Sequence, residues 1–191
     1  MSNPGPARFT ILTPEEWWRI PLVDPDLRAR SIDRLTKLQF RGVDHQPALR
    51  RGLQDEISGQ AAEAAAAGGL EMYLAVQMRG IPVAATLTTY LAPGRITEGA
   101  VEFEQKVGPD GEIDSVQIAA GEAIRRHQLR PPEGPYATIE NAPSTTVVDY
   151  WIPVPGIPQT LLLTFSSPME EIAEVMVNLF DSIASSVRWR D

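Results

Sequence analysis

Val147-Val148-Asp149-Tyr150-Trp151-Ile152-Pro153-Val154, a loop Pro155-Gly156-Ile157-Pro158-Gln159, and then Leu161 to Glu170 form the stretch that decides the fold. Val148, Tyr150, Ile152 and Val154 alternate with Val147, Asp149, Trp151 and Pro153, the period-two signature of a strand. The loop turns the chain, and Leu161, Leu163 and Phe165 supply the returning strand. Ser167-Pro168-Met169-Glu170 carries helix-start chemistry: serine at the cap, proline at the first helical position, glutamate three residues after the cap. The helix that follows puts Ile172, Val175, Met176, Leu179 and Ile183 on one face, widened by Ala173, Val177, Phe180 and Ala184. A helix this apolar needs cover on more than one side, under other helices or at a subunit contact, so a homodimer through the C-terminal helix is one expected form. Ser185 to Arg190, with Trp189, reads as extended.

Upstream, Phe9 to Leu12 is a short strand candidate. Thr13-Pro14-Glu15-Glu16 repeats the capping chemistry, with Leu12 placed to staple against Trp17. Trp18, Ile20 and Leu22 then alternate with Arg19 and Pro21, and the missing N–H of Pro21 argues for an edge position or a strand end. Asp24-Pro25 opens a helix whose buried stripe is Leu27, Ile32, Leu35 and Leu38, ended at Gly42. A second helix, capped by Asp44, buries Leu49, Leu53, Ile57, Ala61 and Ala64 and stops at Gly68-Gly69. From Leu70 the period becomes two. Leu70, Met72, Leu74, Val76 and Met78 share one face, and Arg79 to Pro82 turns the chain into Val83, Ala85, Leu87, Thr89 and Leu91, an antiparallel hairpin.

Over residues 96 to 107 the local pattern says hairpin, since Val101, Phe103 and Val107 alternate with charged residues before Gly108-Pro109-Asp110-Gly111; a short helix competes. Val116, Ile118 and Ala120 form a strand. Gly121 marks a bulge or close backbone approach, with Ala123 and Arg125 continuing the same strand. Tyr136 to Glu140 adds a short strand. Strands grouped between helical blocks imply an α+β fold, an antiparallel sheet with helices on its faces.

The chain has 191 residues, a formal net charge of −8 and no cysteine. Such an acidic surface repels phosphate backbones, which argues against nucleic acid as a partner. Without cysteine there is no disulfide framework and no thiolate nucleophile or metal site. Residues 1–7, small and Pro-rich, are expected to be disordered, and 8–191 to form one domain. The start has no apolar run of the secretory kind, and no stretch approaches a membrane span, so the expectation is a cytoplasmic protein without membrane insertion.

Gly121-x-Ala123-x-Arg125, Val148-x-Tyr150-x-Ile152-Pro153-Val154-Pro155-Gly156, Leu163-x-Phe165-Ser166-Ser167-Pro168, Phe180 to Ala184 and Trp189 together resemble short actinobacterial proteins of the PsbP-like (Mog/PsbP) fold, some of them encoded beside type VII secretion systems. The match lies mostly within residues 116 to 189, with a weaker echo in Pro14 to Trp18. The resemblance implies an α/β/α sandwich and makes residues 96 to 107 a helix, against the local pattern; that helix is adopted here. It brings no catalytic residues; the chain has no cysteine for a lipobox, and the secretory signal of lipoprotein members is not expected here.

Of two histidines, His45 falls in the first turn of a helix and His127 follows Arg125-Arg126 at a strand end. Neither has a nucleophile or metal-spaced partner beside it. There is no nucleophile elbow, phosphate-binding Gly-rich loop or His-Glu-x-x-His. Asp149 shares a face with Trp151 and is placed to pair with Arg125 if their strands are neighbours, either as a plain cross-strand ion pair or as part of a pocket with His127. Trp17, Trp18 and Trp151 are either packing residues or anchors for a protein partner. The sequence thus reads as a non-enzymatic protein-binding or adaptor module with no cofactor or metal, binding an extended peptide at the Trp18 to Leu22 edge or a helix on the alanine-rich face. The alternative is a small-ligand binder or hydrolase with its pocket near Arg125, His127, Asp149 and Trp151.

Overall fold

The described residues are 8–41, 46–78, 80–96, 99–108, 110–132, 138 and 142–190. In this computed structural model they form, in order, β1 (Arg8–Thr10), β2 (Trp18–Pro21), α1 (Pro25–Gln39), α2 (Pro47–Ala66), β3 (Gly69–Met78), β4 (Ile81–Pro93), α3 (Ala100–Val107), β5 (Glu112–Ile118), β6 (Gly121–Arg130), β7 (Thr145–Pro153), β8 (Gln159–Ser167), α4 (Ala173–Ser185) and β9 (Arg188–Arg190). Seven strands make one sheet in the order β2-β3-β4-β8-β7-β6-β5, while β1 and β9 pair in a separate ribbon. Every pairing is antiparallel. The architecture is α+β, with helices on both faces of a central antiparallel sheet.

Side chains alternate across each strand, so the register assigns every residue to a face. Leu87, Phe165 and Val148 stand in one cross-strand row, and Leu163 and Tyr150 stand in the next. This face is the dry core, roofed by α4 through Met176, Phe180 and Ile183. Phe180 stacks on Phe165 with ring centroids 5.0 Å apart. The β1–β9 ribbon closes the same core: Trp189 donates from Nε1 to the Ala120 carbonyl at 2.9 Å and meets the Phe9 ring edge-on.

On the opposite face α1 and α2 cover only one end of the sheet. Ile32, Leu35, Ile57 and Ala61 pack onto Ile20, Leu22, Met72 and Leu74 of the β2–β3 end. Asp24 caps α1 as its sequence requires, its Oδ1 accepting from the amides of Asp26 and Leu27. Toward the other end, α3 packs against β5.

Residues 100 to 107 are helical, and burial explains why the local alternation misled. Phe103 is 6% exposed while Val101 is 68% exposed, so the two do not share the one buried face that a strand would require. Gly121 is not a bulge within one strand. It pairs with Ile118 across a tight turn at Ala119 and Ala120, with φ at +126°, so β5 and β6 are two antiparallel strands. Ser167 does not cap the last helix. Its hydroxyl donates to the Ala84 carbonyl at 2.7 Å, tying β8 to β4, and a 3-10 turn (Glu170–Ile172) intervenes before α4. Leu12 is 72% exposed and staples nothing; Leu27, Leu38 and Leu49 are likewise exposed, which narrows the buried stripes of α1 and α2. Residues 1–7, the stop at Gly42, the cap at Asp44, His45 and most of the Tyr136–Glu140 segment lie outside the described residues. Among the described residues, no helix is long and apolar enough to cross a membrane.

Candidate functional site

The helix-poor middle of the α1–α3 face holds the candidate site. Among the described residues the principal helix contacts on this side are with β2, β3 and β5, and β4 and β8 lie between them. From β3 to β7 is three strand spacings, about 14 Å. The register puts Thr86 opposite Ser166 and Thr88 opposite Thr164, and Thr164 in turn faces Asp149. Where the α4 face carries leucine, valine and phenylalanine, the middle of this one carries hydroxyls.

Asp149 is the electrostatic centre of this trough and is only 3% exposed. Arg126, directly across the β6–β7 ladder, donates from Nε at 3.2 Å and Nη2 at 2.7 Å to Asp149 Oδ2. Thr164 Oγ1 donates to Asp149 Oδ1 at 2.8 Å. Both carboxylate oxygens therefore have donors, as a buried charge demands. The Arg126 guanidinium also lies 5.0 Å over the Trp151 ring, whose centroid is 4.7 Å from that of Phe103 on α3. Thr86 and Ser166 hydroxyls are 2.5 Å apart, so one donates to the other. Burial raises the Tyr90 phenol above its ordinary pKa; a hydrogen bond with Thr88 works against that, and the charge of Asp149 adds to it.

These internal bonds fix the polarity of the floor. A hydroxyl has one proton and two lone pairs. The Thr164 proton is committed to Asp149, and one proton of the Thr86–Ser166 pair is committed within it. Their oxygens keep acceptor capacity, and the Arg126–Asp149 pair neutralises itself. The floor suits an uncharged ligand rich in N–H donors. No group of three metal-ligating side chains is present among the described residues.

The residues singled out in the sequence separate in space. Asp149 and Trp151 belong to the trough. Arg125 and His127 project from the opposite face, where Arg125 stands opposite Tyr150 and His127 opposite Val148. Arg125 donates from Nε and Nη2 to Asp181 on α4 at 3.0 and 3.2 Å, and Tyr150 donates to the same carboxylate at 2.5 Å. The Arg125–Asp149 pair and the shared Arg125, His127, Asp149 and Trp151 pocket are thus corrected: the partner of Asp149 is the next residue, because adjacent residues of a strand point to opposite sides. Trp17 is 5% exposed and meets Phe180 edge-on at 6.5 Å, so it is core rather than surface. Trp18 points to α1, donating from Nε1 to Ser31 Oγ at 2.9 Å with Arg34 over its ring. Thr86, Thr88, Thr164 and Ser166 were missed, although the signal existed: two aligned strands with hydroxyls on one parity and large apolar groups on the other.

No protein-family model and no curated protein matches this chain. The chain is similar in structure to LpqN of Mycobacterium tuberculosis. That protein is described as involved in cell envelope biogenesis; the TM-score is 0.49 at 9% identity, over 99% of this chain and 87% of that one. A likeness of this size says nothing about function.

Proposed function

We propose that the protein is a non-enzymatic binding module that takes an extended, uncharged and amide-rich segment of a protein partner in the hydroxyl-lined trough. The observation that supports this reading is the row Thr88, Thr164, Asp149 and Arg126, in which every charge is spent internally while hydroxyl oxygens remain as acceptors. Backbone amides of an extended segment supply N–H groups at regular spacing, and Thr86 with Thr88 on β4 and Thr164 with Ser166 on β8 offer hydroxyls along the strand direction. A sugar is a weaker fit, since Trp151 already has Phe103 and Arg126 against its ring. The adaptor role in type VII secretion, with the PsbP-like kinship, is part of this proposal and rests on the sequence resemblance. A homodimer through α4 has less support: Val175 is its one large apolar side chain that is mostly exposed.

Peptide-phage selection tests the reading, with the Leu162→Arg variant as counter-selection target. Leu162 lies between Tyr90 and Trp151 on the trough face, so an arginine there obstructs the floor without removing a member of the Asp149 network. Selected sequences are expected to be rich in Asn, Gln, Ser and Gly and to lose binding to the variant. Binders indifferent to Leu162→Arg, or none at all, would overturn it.

A further inference from the structure

The two outer strands of the sheet differ in how they meet water. β2 has four residues, ends on Pro21, and is held down by the Arg19–Glu71 ion pair and the Trp18–Ser31 hydrogen bond. Short length and proline are the usual devices that blunt an edge. β5 has none of them. It runs seven residues, Glu112 to Ile118, without proline, glycine, lysine or arginine, and among the described residues no strand pairs with its outer side.

The charges on this edge follow a pattern. Glu112, Asp114 and Val116 stand opposite His127, Arg125 and Ala123, so all three face the α4 side. The Glu112 side chain is 83% exposed, with His127 Nδ1 3.9 Å from its carboxylate. Asp114 is exposed beside an Arg125 whose guanidinium is spent on Asp181. Two carboxylates at alternate positions of an outermost strand therefore retain room for cations. A second copy of β5 would bring two more carboxylates to the same rim, and like charges set opposite each other destabilise strand pairing.

We infer that β5 is a strand-addition surface for an extended basic segment of a protein partner, one carrying Lys or Arg at alternate positions. Its backbone would continue the ladder as an eighth strand, and its cations would lie against Glu112 and Asp114. This surface is separate from the trough, so either proposal stands if the other fails.

The test uses the whole chain, ¹⁵N-labelled, titrated with a capped peptide of alternating Lys and Val. Controls are the Glu–Val counterpart and a peptide of identical composition with its lysines in one block. Expected are saturable amide shifts centred on residues 112–118, slowed exchange of outward β5 amides, and no such response to either control. Asp114→Lys, a surface change whose folding the same spectrum verifies, is expected to weaken binding by about two- to tenfold. Equal response to the block peptide would mean unspecific attraction and overturn the inference. So would shifts centred elsewhere, or a dimer through β5 that the peptide does not displace.

Discussion

Arg126 and Asp149 face each other across β6 and β7 with 2.7 Å between guanidinium nitrogen and carboxylate oxygen, and both are largely shielded, their side chains 15% and 4% exposed. The two charges hold each other in place. Asp149→Ala would leave the guanidinium beside Trp151 without a counter-charge, and removing one partner of a buried pair costs about 3–5 kcal/mol. The double variant Arg126→Met, Asp149→Leu removes both charges and is expected to be clearly more stable than Asp149→Ala alone. Urea unfolding of the three proteins checks the order.

Tyr150 gives the chain an alkaline limit. Burial, and then the hydrogen bond to Asp181, raise its pKa above the ordinary 10.0, and burial and Glu71 do the same for Tyr73. A group whose folded pKa is raised stabilises fully below its unfolded value and loses that contribution as pH climbs toward the folded one. The contribution of these phenols to unfolding free energy is therefore expected to be constant through neutral pH and to fall above about pH 10. The chain has two lysines, Lys37 and Lys106, so little else titrates with the phenols. Tyr150→Phe should lessen the alkaline decline, and adding Tyr73→Phe should lessen it further; a decline of unchanged steepness in the double variant would refute the assignment.

What the sequence disclosed depends on how far each signal reaches along the chain. The β7–β8 and β3–β4 hairpins were legible because period-two alternation and a nearby turn are local facts. Residues 100 to 107 are not legible from their own alternation, because two helical turns with Phe103 buried look like a strand until the exposure of Val101 is known; the helix adopted there came from the resemblance, and the structure has it. Ser167 had the cap sequence, yet its hydroxyl found the Ala84 carbonyl, a partner 83 residues away that no local rule reaches. Asp149 stands out in the sequence as a lone carboxylate within an apolar strand, and in the fold it is the buried member of an ion pair with Arg126. Its partner is Arg126 and not Arg125, since choosing between them requires the β6–β7 register, and a slip of one residue exchanges the faces.

Trp17 illustrates a buried polar group left over. Its ring packs edge-on against Phe180, and among the described residues its Nε1–H has no acceptor. An unsatisfied buried donor costs about 1–3 kcal/mol, so Trp17→Phe loses packing but also sheds that penalty. Its stability is expected within about 1.5 kcal/mol of the parent, whereas Trp17→Ala should cost about 3–5 kcal/mol. A melting series of the two variants separates packing from hydrogen bonding.

Gly111 and Gly121 bracket β5 and differ in what a side chain would meet. Both have positive φ, +101° and +126°, where an L-residue is strained by about 1–3 kcal/mol. At Gly121 an added Cβ has open space, so Gly121→Ala should cost that strain alone. At Gly111 the Cβ would sit 2.3 Å from the His127 carbonyl oxygen, which is backbone and cannot rotate away. Gly111→Ala must therefore push β5 from β6 at their first rung, Glu112 opposite His127. It is expected to lower the melting temperature more than Gly121→Ala and to speed amide exchange at Glu112 to Asp114 before the rest of the strand. Equal melting temperatures for the two variants would mean that the β5–β6 ladder yields at that rung without cost, and β5 would then be too loosely held to offer a firm edge to an incoming strand.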